Sequence, residues 1–207
     1  MACILLDATS VTRFEKNPTK HQSKPSVSCI LDISVVSFPD KELLQSVMDL
    51  FNGGVTSSLS ALEFAVLYLI HNPNVLVKVK AEIDKAAASG HGISWANRDH
   101  YPYTRATLVE ILRLASVTPS SLPHVTTEDM MIDEQYEIPK DVFVLAGIYS
   151  LHRDPRFYKN PEVFDPERHL NAEGKVVTPK SFRPFGIGEW VLVVVFLFYL
   201  VCVCVCV

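Results

Sequence analysis

Apolar residues recur every three or four positions from Leu44 through Val47, Phe51, Val55, Leu59, Leu62 and Val66 to Leu69. That period puts them on one face of a helix, and Ser37 with Asp40 three residues later supplies a start signal. At ~1.5 Å per residue an unbroken helix here would be roughly 45 Å long. Gly53-Gly54 falls near its middle, where each glycine costs about 1 kcal/mol relative to alanine. The pair predicts either a tolerated kink or a place where a bulky ligand approaches the backbone. Asn72-Pro73 next provides an N-cap and a first helical residue for a second helix reaching about Ala88. Beyond a loop containing Gly and Asn, a third helix is predicted from Thr104 to about Ala115, closed by Pro119.

After Pro119 the pattern turns to short extended pieces: Val125 to Thr127, Met130 to Ile132, Tyr136 to Ile138 and Val142 to Leu145. Asp133-Glu134 sits between two of them as a turn. From Arg153 onward Pro155, Pro161, Pro166, Pro179 and Pro184 impose an irregular meander. Long helices followed by small sheets, without βαβ alternation, give a mainly α fold with small β-sheets.

Composition narrows the picture. The formal net charge is −4, and Lys and Arg are scattered, so no basic stripe marks a nucleic-acid partner. Cysteine occurs only at Cys3, Cys29, Cys202, Cys204 and Cys206, which leaves the long middle without a disulfide framework or a spaced metal site. The apolar run from Ala2 to Leu6 is too short for a signal h-region and is stopped by Asp7. Thr12 to Ser28 is polar, with Pro18 and Pro25, and reads as a disordered lead-in. The expected organisation is therefore an unassigned lead-in over 1–36, a folded unit over 37–188, and a tail over 189–207 of different character. From Val191 to Val207 no residue is charged, and the end alternates Val and Cys.

Glu110 and Arg113 lie three apart on the third predicted helix and share a face. Alone they are a surface pair of little consequence. Arg168, in Pro166-Glu167-Arg168-His169, offers a second guanidinium that could complete a buried Glu/Arg/Arg cluster. His152-Arg153-Asp154 is not a kinase catalytic loop, since Lys159 stands where Asn is required. Gly186-Ile187-Gly188 lacks the length and strand context of a dinucleotide loop.

Taken in order, the Gly-Gly pair in a long helix, E-x-x-R, Pro123-His124, the H-x-D-P meander, P-E-R-H and Phe182-Arg183-Pro184-Phe185-Gly186-Ile187-Gly188 resemble the C-terminal half of a cytochrome P450. The similarity is to animal microsomal haem-thiolate monooxygenases and covers about Ser37 to Gly188. It implies that Gly53 and Gly54 lie over the haem, and that Thr56 and Ser57 occupy the acid and hydroxyl positions that handle dioxygen and protons. Ser57 keeps a hydroxyl, whereas Thr56 has no carboxylate. His124 matches the position that contacts a haem propionate. Glu110, Arg113 and Arg168 match the structural cluster behind the haem, and Phe185 and Gly188 open the haem loop.

The family loop reads F-x-x-G-x-R-x-C-x-G. From Phe185 this chain supplies Phe185 and Gly188, then Trp190 for Arg, Leu192 for Cys and Val194 for Gly. Leucine cannot donate the thiolate that holds the iron and favours O–O cleavage. Three readings of the tail follow. One is a membrane anchor, on length and apolarity. A replacement ligand from Cys202, Cys204 or Cys206 is the second. The third is translated intron, because Val-Cys alternation is what a GT repeat encodes and Gly-Glu-Trp can contain a GTGAGT splice donor.

The resemblance implies haem as cofactor, an NADPH-linked reductase and a small apolar substrate as partners, and the endoplasmic reticulum membrane as location. This chain is expected to be an inactive fragment without the N-terminal anchor, the first half or the Cys ligand. The alternative expectation is a non-catalytic pseudo-enzyme or a tail-anchored binding protein.

Overall fold

The periodicity from Leu44 to Leu69 becomes a single α-helix, α1 (Asp40–His71), in the computed structural model, which describes residues 3–6, 40–90, 92 and 94–186. The helix runs through Gly53-Gly54 without interruption. The face that the periodicity marks does not pack as a core. Leu44, Val47, Phe51, Leu59, Leu62 and Val66 are all exposed, Phe51 by 62%. What α1 buries are the small residues Gly54, Ser58 and Ala61, four and three positions apart. Near its end, Tyr68 stacks on Phe164 with ring centroids 5.1 Å apart. By length and composition the Lys41–His71 stretch would suffice to cross a membrane; the same helix also contacts the two helices that follow.

α2 (Pro73–Ala88) starts where the Asn-Pro pair predicts, with proline in its first turn. Asn72, however, makes no side-chain cap. Its amide donates backward to the Tyr68 carbonyl at 2.8 Å and so satisfies the end of α1 instead. The Gly/Asn loop holds a 3₁₀ turn, Trp95–His100, whose Ser94 accepts from the Asn97 amide at 3.3 Å.

α3 (Pro102–Ala115) begins two residues before the predicted Thr104. The reason is a cap supplied from outside the helix. Glu82 of α2 accepts from the Tyr103 and Thr104 amides at 2.8 and 2.7 Å and from the Thr104 hydroxyl at 2.6 Å. A carboxylate there satisfies orphan N–H groups and complements the helix dipole. Ser116, left-handed at φ 41°, closes the helix by donating its amide to the Leu112 carbonyl.

Two small sheets follow. β3 (Met130–Ile132) and β4 (Tyr136–Ile138) form a hairpin whose Asp133 and Glu134 both sit at φ 57°. With Ile132 opposite Tyr136, three residues connect the strands, and the Gln135 amide closes the turn on the Ile132 carbonyl at 3.1 Å. Ile132 and Ile138 pack with Val142 and Met130 beneath it. β2 (His124–Val125) is shorter than predicted and starts one residue earlier. Thr126 leaves the ladder, its hydroxyl donating to the Pro139 carbonyl at 2.7 Å. The centre of the mixed sheet is β5 (Phe143–Ala146), antiparallel to β2 and parallel to β1 (Cys3–Leu6). β1, an edge strand, falls within the expected lead-in, and residues 7–36 lie outside the described residues. A short helix, α4 (Ile148–His152), then buries Ile148, Leu151 and His152 and leads into the meander.

Candidate functional site

α3 carries the densest chemistry in the molecule. Its core-facing positions include Glu110 and Arg113, both fully buried. Arg113 grips Glu110 in a two-pronged pair, Nε to Oε2 and Nη2 to Oε1, each at 2.8 Å. The third prong donates to the His152 carbonyl at 2.7 Å, and the guanidinium lies 4.9 Å from the Tyr158 ring centre. Arg168, in the 3₁₀ turn Pro166–His169, reaches Glu110 Oε1 with its Nε at 3.0 Å. Its other nitrogens donate to the carbonyls of Lys159 at 2.7 Å and Val163 at 3.0 Å. Glu110, Arg113 and Arg168 thus meet in one cluster.

Two further members were not read from the sequence. His169 Nε2 lies 2.8 Å from Glu110 Oε2, and the Asp165 amide donates to Oε1 at 3.0 Å. The carboxylate therefore takes five donors, one more than its four lone-pair directions ordinarily serve. Burial alone would raise its pKa. The hydrogen bonds from Arg113, His169 and Asp165 outweigh burial and hold it at about 2. The sequence signal for His169 was its place beside Arg168 in P-E-R-H, where one tight turn presents both side chains to the same acceptor.

His152-Arg153-Asp154, set aside as a kinase motif, is part of the same framework. His152 is fully buried, and burial with the nearby Arg113 and Arg153 charges lowers its pKa to about 4. Arg153 Nη2 donates to the Leu114 carbonyl at 2.8 Å, at the end of α3, and its guanidinium stacks over Tyr149 at 3.9 Å. Asp154 accepts from the Arg156 amide at 2.9 Å.

The residues expected around a haem lie on three separate elements. Gly53, Gly54, Thr56 and Ser57 are on α1, His124 on β2 and Phe185 on the loop after the meander. Gly54 is buried, whereas Gly53 is exposed and a Cβ there would meet nothing within 4 Å. The Ser57 hydroxyl donates to the Gly53 carbonyl at 2.7 Å. Thr56 and His124 are exposed, and Phe185 is half-buried. Gly188 and Leu192 lie outside the described residues.

Haem-thiolate chemistry needs an open face on one side of the ring and a sulfur donor on the other. The open surface at Gly53 suits the first requirement. For the second, residues 40–186 contain no cysteine, and Leu192, expected at the ligand position, lies outside the described residues. Among the described residues no group of three His, Cys, Asp or Glu side chains could hold a metal ion. Among the described residues the one cysteine is Cys3, in β1, and residues 40–186 supply no sulfur donor of the kind a haem-thiolate centre needs.

Comparison with known proteins agrees with the order of motifs. The family model for cytochrome P450 matches residues 12–190, so the match reaches into the stretch expected to be lead-in. The chain is 36% identical over 155 residues to human cytochrome P450 2U1, covering 75% of this chain and 28% of that protein. It is 39% identical over 155 residues to steroid 17-alpha-hydroxylase/17,20 lyase of Ictalurus punctatus, covering 74% and 30%. Human cytochrome P450 2J2 is 31% identical over 179 residues, covering 86% and 34%. The chain thus spans about a third or less of the length of these relatives. On the ordered motifs, the Glu110 cluster and the family match, the chain belongs to the cytochrome P450 family, whose members are haem-dependent monooxygenases.

Proposed function

We propose that this chain carries the scaffold of a haem-dependent monooxygenase without a working iron-ligand position, and that it does not itself oxygenate a substrate. What supports this reading is the sequence after Phe185: laid on the family loop, it brings Leu192 to the position of the thiolate. Thr56 in place of an acid points the same way, since it cannot deliver a proton as a carboxylic acid would. In the family reading, one atom of dioxygen enters a small apolar substrate, with electrons from an NADPH-linked reductase at the endoplasmic reticulum membrane. In this chain Glu110, Arg113 and Arg168 would fix the meander behind the haem, and His124 would face a propionate. Gly53, Gly54 and Ser57 would line the oxygen side, with Phe185 and Gly188 opening the ligand loop.

A second reading is a non-catalytic, tail-anchored binding protein, favoured by the uncharged stretch from Val191 to Val207. Two measurements on the full chain separate these readings. Haem is added, the iron reduced, and carbon monoxide introduced. The expected result is a histidine-like spectrum or no complex, and a thiolate-type spectrum would overturn the proposal. Flotation with neutral lipid vesicles tests the anchor: a chain that stays in the soluble fraction removes the second reading.

A further inference from the structure

His152 occupies an unusual position among the buried side chains, because both its backbone and its ring are engaged across the chain. Its carbonyl accepts Arg113 Nη1 at 2.7 Å. On the other side of the residue, the Arg183 amide donates to His152 Nε2 at 3.0 Å. A ring nitrogen that accepts from an amide carries no proton, so the proton sits on Nδ1. Nδ1 lies 3.4 Å from the Ser116 hydroxyl oxygen. That hydroxyl gives its own hydrogen to the Arg113 carbonyl at 2.9 Å, leaving its oxygen to accept from the ring. The Arg183 contact selects the Nδ1–H tautomer of the neutral ring, and the Ser116 contact is compatible with it.

The segment so held is the one that leads into the haem loop. Phe182 stacks on the His152 ring at 5.6 Å and 20°, and its other neighbour is His169, 6.2 Å away in a tilted arrangement. The Thr118 hydroxyl donates to the Pro184 carbonyl at 3.4 Å. Gly186 follows at φ +87°, where a Cβ would lie 2.6 Å from Ser121 Oγ. Turning the serine hydroxyl would relieve that approach, but the positive φ would still disfavour any other residue. Arg183 itself lies outside any helix or strand.

We propose that His152 is a positioning residue, which as the Nδ1–H tautomer holds the Arg183 amide and thereby couples the Glu110 cluster to the backbone of the loop from Phe182 to Gly186. The assignment goes beyond the family reading and stands whether or not the chain binds haem, because it concerns only contacts within the chain.

The test uses the full chain, labelled with ¹⁵N and studied by NMR. The ring nitrogens of His152 should report a protonated Nδ1 and a bare Nε2; an Nε2–H tautomer overturns the proposal. Amide exchange gives the second readout. His152→Phe keeps a ring against Phe182 but removes the acceptor, and should speed exchange at Arg183 by about tenfold relative to Ile111 and Leu114 of α3. His152→Gln places a carbonyl oxygen where Nε2 was and should recover most of that protection, to within about threefold of the parent. Unchanged exchange at Arg183 in the folded phenylalanine variant overturns the proposal, as does a glutamine variant that behaves like phenylalanine. Should the phenylalanine variant fail to fold, the parent protein decides: an Arg183 amide exchanging as fast as exposed loop amides contradicts the proposal.

Discussion

The cluster around Glu110 buries ionised groups completely, whereas α1 leaves most of its large apolar side chains in solvent. Glu110 and Arg113 are 0% exposed; Phe51 and Ile70 are 62% and 68% exposed. The contrast follows from how far away each kind of partner must be found. A buried charge needs a few donors or acceptors at hydrogen-bond distance, and the segments from Glu110 to His169 supply them all. An apolar side chain needs area, at roughly 25 cal/mol per Å² removed from water, and no pair of polar contacts can replace it. Among the described elements, α2, α3 and Phe164 cover only part of α1. The polar cluster is therefore the self-contained region of the molecule, reversing the usual order in which oil is buried first and charge last.

The sharpest way to break this comparison is to neutralise the acceptor at its centre. Glu110→Gln would leave the buried Arg113 and the half-buried Arg168 without their counter-charge, and should cost about 3–5 kcal/mol in urea unfolding. A loss below about 1 kcal/mol would mean that the cluster is incidental to folding.

Acid should act on the same region. His152 titrates at about 4 in place of 6.5, so the unfolded chain binds the proton more readily than the folded one. Its contribution is present above pH 6.5 and is lost as pH falls toward 4, on the order of 3 kcal/mol in all. The charges facing this ring are Arg113, Arg153 and Glu110. Glu110, lowered from 4.5 to about 2, withdraws its own contribution between those values. Unfolding midpoints measured from pH 7 to 3 should thus begin to drop near pH 6.5; a flat profile down to pH 4.5 would contradict the buried neutral ring.

On α1 the expected effects are smaller and depend on the face. Ala61→Leu overfills the stripe of small buried residues and should destabilise by about 1–3 kcal/mol. Phe51→Gln on the exposed apolar face should change stability by no more than about 0.5 kcal/mol while reducing self-association in sedimentation velocity. If the two substitutions cost the same, the division between buried and exposed faces of α1 is wrong.

The sequence carried α1, α2 and the hairpin well because their signals are local: a 3.6 period, an Asn-Pro start, and an Asp-Glu turn. It misplaced the start of α3 because the cap is a Glu82 carboxylate, 21 residues before the Tyr103 amide it accepts from. Periodicity marked the apolar face of α1 without indicating what would cover it, since a pattern records the need for a partner and not the partner's presence. For the cluster, E-x-x-R and a distant arginine sufficed to bring Glu110, Arg113 and Arg168 under suspicion. His152 and His169 escaped because a buried histidine has no spacing rule; its role appears only when the donor at Arg183 or the acceptor at Glu110 is brought beside it.

The two fastenings of α3 have a consequence for how the chain acquires this structure. Negative charge arrives at the helix start from Glu82 and positive charge at its end from Arg153, each lent by another element. With fourteen residues and no side-chain cap of its own, the segment is too short to persist alone in water. Coil-to-helix conversion of α3 and docking of its neighbours are consequently a single cooperative event. Because both fastenings join segments fewer than forty residues apart in the chain, that event closes only short loops and can run ahead of any longer-range assembly.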